Sequence, residues 1–188
     1  MLRLGDGRAQ PVADSLLAMT RRIWLVGMMG AGKTSVAFAL ADRLDEKWAD
    51  SDALIVERAG LSITEIFEAE GESGFRAVEE AVLAELAVSD IPIIATGGGA
   101  VTSGRNITTM RASGTVVWLS APPDVLGARV GAASARPLLA EGVTVAQIGT
   151  LLEIRRTAYA AAAHLTLETV GDDMSRVVDR LEALWLTL

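Results

Sequence analysis

The chain has 188 residues, enough for one domain with one core, and its 51% hydrophobic and 22% charged residues give an ordinary globular balance. With 17 basic against 24 acidic residues the net charge is −7. That balance argues against nucleic acid or an anionic membrane as a partner, and it means that any cations holding phosphate must be gathered in one site. No cysteine is present, which excludes disulfides, thiolate metal sites and cysteine catalysis and fits a cytoplasmic protein.

Residues 1–19 show no regular patterning and lack the apolar core of a secretory signal. They are expected to be a flexible extension ahead of a single domain over 20–188, with Met19 as an alternative start. No stretch is long and apolar enough to span a membrane. Ile23–Val26 reads as a buried strand ended by Gly27. Val36, Leu40 and Leu44 share one face of a helix over 33–44. A short strand ends at Asp50. Helical patterning returns over 54–59 and again over 63–69, where Ser62 and Thr64-Glu65 supply capping chemistry, and then over 75–88. Residues 91–95 read as a strand running into Gly97-Gly98-Gly99, and 115–119 as another, followed by Pro122-Pro123 and a helix. One long helix is predicted over 143–163, a short strand over 165–167 and a closing helix over 174–186. Strands that are apolar on both faces alternate with helices, which predicts an α/β fold with a parallel sheet covered on both sides.

Gly27-Met28-Met29-Gly30-Ala31-Gly32-Lys33-Thr34 matches the P-loop pattern, after a strand and opening a helix. Glycines let successive backbone N–H groups turn inward onto phosphate oxygens, and the helix aims its positive end at the same anion. Gly30, Ala31, Gly32, Lys33, Thr34 and Ser35 are the expected nucleotide-binding residues, Lys33 reaching the β- and γ-phosphates and Thr34 ligating Mg²⁺. The motif establishes triphosphate binding but not the reaction, since GTPases, ATPases and kinases share it.

Five further elements follow in order: Asp50-Ser51-Asp52; Gly71-Glu72-Ser73-Gly74-Phe75-Arg76 with Glu79; Gly97-Gly98-Gly99; Arg136-Pro137-Leu138-Leu139; and Arg155 four residues before Tyr159. With the P-loop, this set resembles the shikimate kinase family from about residue 22 to 170. The resemblance implies a nucleoside-monophosphate-kinase-like three-layer sandwich, with a five-stranded parallel sheet in the order 2-3-1-4-5 and a lid around 131–142. It implies transfer of the ATP γ-phosphate to the 3-hydroxyl of shikimate, with ATP and Mg²⁺ required and a monomer expected.

By the same resemblance Lys33, Asp52 and Arg136 are catalytic, and Arg129 and Arg136 contact the nucleotide. Asp50 joins Thr34 in holding Mg²⁺. Asp52, Arg76, Gly97, Gly98, Gly99 and Arg155 bind shikimate, with Phe67 and Phe75 as pocket walls. The chemistry is coherent: a carboxylate calls for guanidinium forks, and a hydroxyl nucleophile calls for a carboxylate acceptor. Glu79 lies at i+3 from Arg76 and is placed to hold its fork. Asp50 and Asp52 are read on one face of an extended segment, and the Gly97–Gly99 N–H groups as donors to the ring.

Blander readings stand beside these. Asp50 and Asp52 would serve as helix caps, Arg76 as a solvated helix residue, Gly97–Gly99 as a turn, Phe67 as core and Arg129 as half of a surface salt bridge. His164, the one histidine, reads as structural. The segment Arg155-Arg156-Thr157-Ala158-Tyr159 lacks a proline frequent in the family, leaving Arg155 or Arg156 to face the substrate, with spacing favouring Arg155. Gly74 replaces a more usual polar residue, and 171–174 lacks the basic and proline residues expected near adenine. The rival functions are a related kinase acting on gluconate or another polyol, or a catalytically silent nucleotide-binding module.

Overall fold

In the computed structural model, which describes residues 21–132, 144–171 and 174–188, five strands form one sheet. They are β1 (Ile23–Val26), β2 (Trp48–Asp50), β3 (Ile93–Ala95), β4 (Thr115–Ser120) and β5 (Leu165–Glu168). All pairings are parallel, in the order β2-β3-β1-β4-β5, as the sequence resemblance implied. β1 is central. Ile23, Trp24, Leu25 and Val26 are each 0% exposed, so both faces of the strand are covered and no polar alternation develops. At the edge, β5 buries only Leu167.

The helices are α1 (Lys33–Leu44), α2 (Ser51–Ala59), α3 (Ile63–Val88), α4 (Gly104–Ser113), α5 (Pro123–Ala132), α6 (Val145–Ala162) and α7 (Met174–Trp185). The two helices predicted over 63–69 and 75–88 follow one another as the two arms of α3, separated as expected by a kink, at Gly71, whose φ of 68° is not helical. Its start is the expected capping box: Ser62 Oγ accepts from Glu65 N, and the Glu65 carboxylate accepts in return from Ser62 N. α4 is an addition to the predicted elements. Only Asn106 and Met110 are buried along it, a stripe too narrow to stand out as helical periodicity. Ser103, whose hydroxyl accepts from Asn106 N at 3.3 Å, caps its start.

β1, β2 and β3 all deliver their C-terminal ends to one edge of the sheet: the P-loop follows Val26, α2 follows Asp50, and the glycine run follows Ala95. In open parallel sheets ligands gather at such an edge, where successive connections leave in opposite directions. The predicted extension over 1–19, the lid with Arg136, and Asp172-Asp173 lie outside the described residues, except that 131 and 132 close α5.

Candidate active site

The P-loop bends around its glycines, with Gly30 and Gly32 in left-handed backbone at φ 78° and 88°. α1 starts at Lys33 with no acidic residue in its first turn, so its positive end is left for an external anion. Lys33 is buried, and its ammonium donates to Gly27 O at 2.8 Å and Met28 O at 3.0 Å. An ammonium has three protons, so one remains for phosphate. Burial lowers the Lys33 pKa to about 8, against the raising influence of Asp52 and Asp50.

Asp50 ends β2 with its two oxygens divided between tasks. Oδ1 caps α2, accepting from Asp52 N at 2.9 Å, while Oδ2 accepts from the Thr34 hydroxyl at 2.7 Å. The capping and functional readings of Asp50 are therefore compatible. The extended-segment reading of 50–52 is corrected: Ser51 already begins α2, so Asp52 stands in the first helical turn. Its carboxyl is pushed up to about 6, first by burial and then by the Asp50 charge, with Lys33 and Arg76 opposing.

Asp52 meets the glycine run directly, because a Cβ on Gly97 would collide with Asp52 Oδ1 and lie 3.3 Å from Glu79 Oε1. Likewise a Cβ on Gly99 would sit 2.7 Å from Arg76 Nη2. The run is thus a place of close approach rather than a bare turn. The Gly97 N–H does not face a ligand as the sequence suggested: it donates to Ser51 Oγ at 3.0 Å.

Arg76 is mostly buried rather than solvated. Its Nη1 donates to Glu79 Oε2 at 2.7 Å, one helical turn on, as the i+3 spacing predicted. Glu79 is 1% exposed, and burial raises its pKa despite Arg76. Asn106 of the unpredicted α4 also donates to Glu79 Oε2, at 3.4 Å, and to Ala100 O at 3.0 Å. Phe67 stacks on Phe75 with centroids 4.6 Å apart and remains 38% exposed, so it is not a core residue. The Arg76 guanidinium carbon lies 5.2 Å from the Phe75 centroid.

From α6, Arg155 Nη1 donates to Gly98 O at 3.2 Å, whereas Arg156 points to solvent and pairs with Glu153 at 2.5 Å. Of the two arginines, Arg155 meets the glycine run. Arg129 of α5 donates to Gly30 O at 3.5 Å, Thr169 Oγ1 at 3.0 Å and Thr169 O at 2.6 Å, bridging the P-loop to the end of β5 instead of a carboxylate. His164 is structural: its Nδ1 accepts from Val116 N at 2.9 Å. Ser51, Asn106 and Tyr159 carry contacts that no sequence role foresaw. Ser51 and Tyr159 had a local signal, the one lying between the two aspartates and the other four residues after Arg155.

A P-loop that opens beside a half-buried carboxylate and two guanidinium groups on separate helices defines a small-molecule phosphotransferase on the P-loop kinase fold. A shikimate kinase family model matches residues 29–184. The shikimate kinase of Halorhodospira halophila is 44% identical over 164 residues, covering 87% of this chain and 93% of that one. That of Symbiobacterium thermophilum is 40% identical over 166 residues, covering 85% and 95%. The Acinetobacter baumannii shikimate kinase, solved in complex with shikimate, superimposes with a TM-score of 0.82 at 38% identity, covering 92% of this chain and 97% of that one. A Sinorhizobium meliloti gluconokinase shares only the fold, at 17% identity and a TM-score of 0.51. The chain belongs to the shikimate kinase family.

Proposed function

We propose that this chain transfers the γ-phosphoryl group of ATP to the 3-hydroxyl of shikimate, giving shikimate 3-phosphate and ADP. The observation that carries the reading is the meeting of Asp52, the Arg76–Glu79 pair and Arg155 around Gly97–Gly99, at the mouth of the P-loop. Neither a gluconate kinase nor a silent binder is favoured by relatives that are shikimate kinases over most of their length.

Arg76 and Arg155 would hold the acceptor carboxylate between α3 and α6, Glu79 fixing the plane of the Arg76 fork. Asp52 would align the 3-hydroxyl. As the oxygen bonds to the γ-phosphorus, the bond from that phosphorus to the β–γ bridging oxygen breaks, and the hydroxyl proton passes to Asp52. Lys33 offers its remaining proton to the departing diphosphate. Arg136 would neutralise the transferring group from the lid. Thr34 Oγ1 and Asp50 Oδ2 are adjoining hard oxygen donors, which fits Mg²⁺ with the nucleotide supplying further ligands. When bound there, the ion supplies charge neutralisation at the β- and γ-phosphates.

Coupled ADP release, with and without shikimate, tests the proposal, with gluconate and a carboxylate-free cyclitol as controls. Stimulation by shikimate alone, lost on adding EDTA and restored by excess Mg²⁺, is expected. Stimulation by a control instead would move the acceptor. No stimulation by any would leave a nucleotide binder.

A further inference from the structure

Tyr159 is the one tyrosine of the chain and is 0% exposed. α6 places it one turn after Arg155, where its ring stacks on Trp118 of β4, centroids 5.3 Å apart and planes 15° from parallel. Its hydroxyl donates to Gly98 O at 2.6 Å, the same oxygen that accepts from Arg155 Nη1 at 3.2 Å. Burial pushes the phenol up to about 12, so it remains a donor at any working pH.

The three glycine carbonyls are held from different directions. Gly97 O accepts from Ala100 N at 3.1 Å, and Gly99 O from Thr102 N at 2.9 Å, both within the local turn. Gly98 O is held from the distant helix α6, by Arg155 and Tyr159. A trans peptide is planar, so the direction of the Gly98 carbonyl fixes the Gly99 N–H in the opposite direction. Without that restraint glycine has more backbone freedom than any other residue.

We propose that Tyr159 is a positioning residue. Its hydroxyl clamps the Gly98–Gly99 peptide and, through the shared oxygen, sets the Gly99 N–H and the Arg155 fork for the carboxylated acceptor. This deepens the functional reading above and rests on it. Arg155 can then exchange its own contact with Gly98 O for the acceptor without releasing the loop, because the phenol still holds that oxygen. Nucleotide binding, which depends on the P-loop, is independent of the clamp.

Tyr159→Phe tests this, since it keeps the ring and its stacking and removes only the hydroxyl. Calorimetry should show shikimate affinity reduced about 5- to 10-fold, the scale of one buried hydrogen bond, with KM for shikimate rising in parallel. ADP affinity and kcat should stay within about twofold of wild type. Incorporating a ring-fluorinated tyrosine labels this residue alone, and its fluorine NMR resonance should shift on adding shikimate but not ADP. Unchanged shikimate affinity in Tyr159→Phe overturns the proposal. So does an equal loss of shikimate and ADP affinity tracking a lowered Tm, the mark of a merely structural hydroxyl. If the variant fails to fold, the fluorine signal of the otherwise wild-type chain decides, and no shift at saturating shikimate overturns the clamp. A wild-type chain that does not bind shikimate by calorimetry overturns the functional reading itself, and is seen before any variant is made.

Discussion

Asp52 is held where burial and the Asp50 charge both resist its ionisation, and its pKa of about 6 is the result. A base of that strength is well placed to accept a hydroxyl proton near neutrality. Below about pH 6 it carries a proton and cannot do so, so kcat/KM for shikimate should fall on the acid side near that value. Asp52→Asn should lower kcat about 100-fold or more while leaving ADP affinity intact. Because the folded pKa lies above the ordinary 3.8, the fold disfavours the charged form, and stability is lost as pH rises through this interval. Removing the charge should therefore raise Tm at pH 7, by about 2–4 °C per kcal/mol relieved. A variant both inactive and less stable would mean that Asp52 braces the fold. The adjacent arginines divide just as sharply. Arg155→Ala should raise KM for shikimate about 10- to 100-fold, the worth of a charged hydrogen bond. Arg156→Ala should leave it within about twofold, because its Glu153 partner is exposed. Equal effects from both would reassign the clamp.

Among the elements, β5 is joined to β4 partly by a side chain. His164 N donates to Val116 O at 2.8 Å, and Val116 N donates in return to His164 Nδ1 at 2.9 Å, so the imidazole stands in for a backbone carbonyl at the start of the ladder. This bond requires neutral Nδ1 with the proton on Nε2. Burial, and then the charge of Arg111, lower the His164 pKa below 6.5. The folded state therefore binds this proton less readily than the unfolded chain does. The contribution is complete above 6.5 and is lost as pH falls from there toward the lowered value. His164→Asn offers a carbonyl that does not titrate. The Tm of wild type relative to this variant should be highest at neutral pH and should move in the variant's favour as pH falls below about 6.5. A difference independent of pH would show that His164 does not titrate on unfolding. The elements differed in how plainly they were written. β1 and α1 announce themselves through an unbroken apolar run and a one-sided stripe, and the break in α3 through its glycines. α4 hid because its two buried residues make too short a pattern.

At the scale of the molecule, Arg22 joins layers far apart in the chain. It is 2% exposed, and its guanidinium donates to Ala87 O and Ser89 O at 2.6 Å and to Ile91 O and Ser113 O at 3.2 Å. It thus ties the start of β1 to the C-terminal ends of α3 and α4, where carbonyls lack helical partners and the helix dipole favours a cation. Arg22→Ala should destabilise the domain by about 3 kcal/mol or more, since it strands several buried acceptors. Urea titration with an unchanged m-value checks it, and a loss under about 1 kcal/mol would show that water replaces the guanidinium.

The sequence by itself determined what depends on contiguous residues: the P-loop, because phosphate binding there uses successive backbone groups; the alternation of buried strands and helices; and the local pairs Asp50 with α2 and Arg76 with Glu79. The tertiary structure decided which distant groups meet. Ser51 reaches Gly97 across 46 residues, Arg155 reaches Gly98 across 57, and Tyr159 reaches it across 61. Spacing to Tyr159 already favoured Arg155 over Arg156, but the turn of Arg155 onto Gly98 follows from how α6 is rotated against the sheet, and that rotation is set by packing of the whole core.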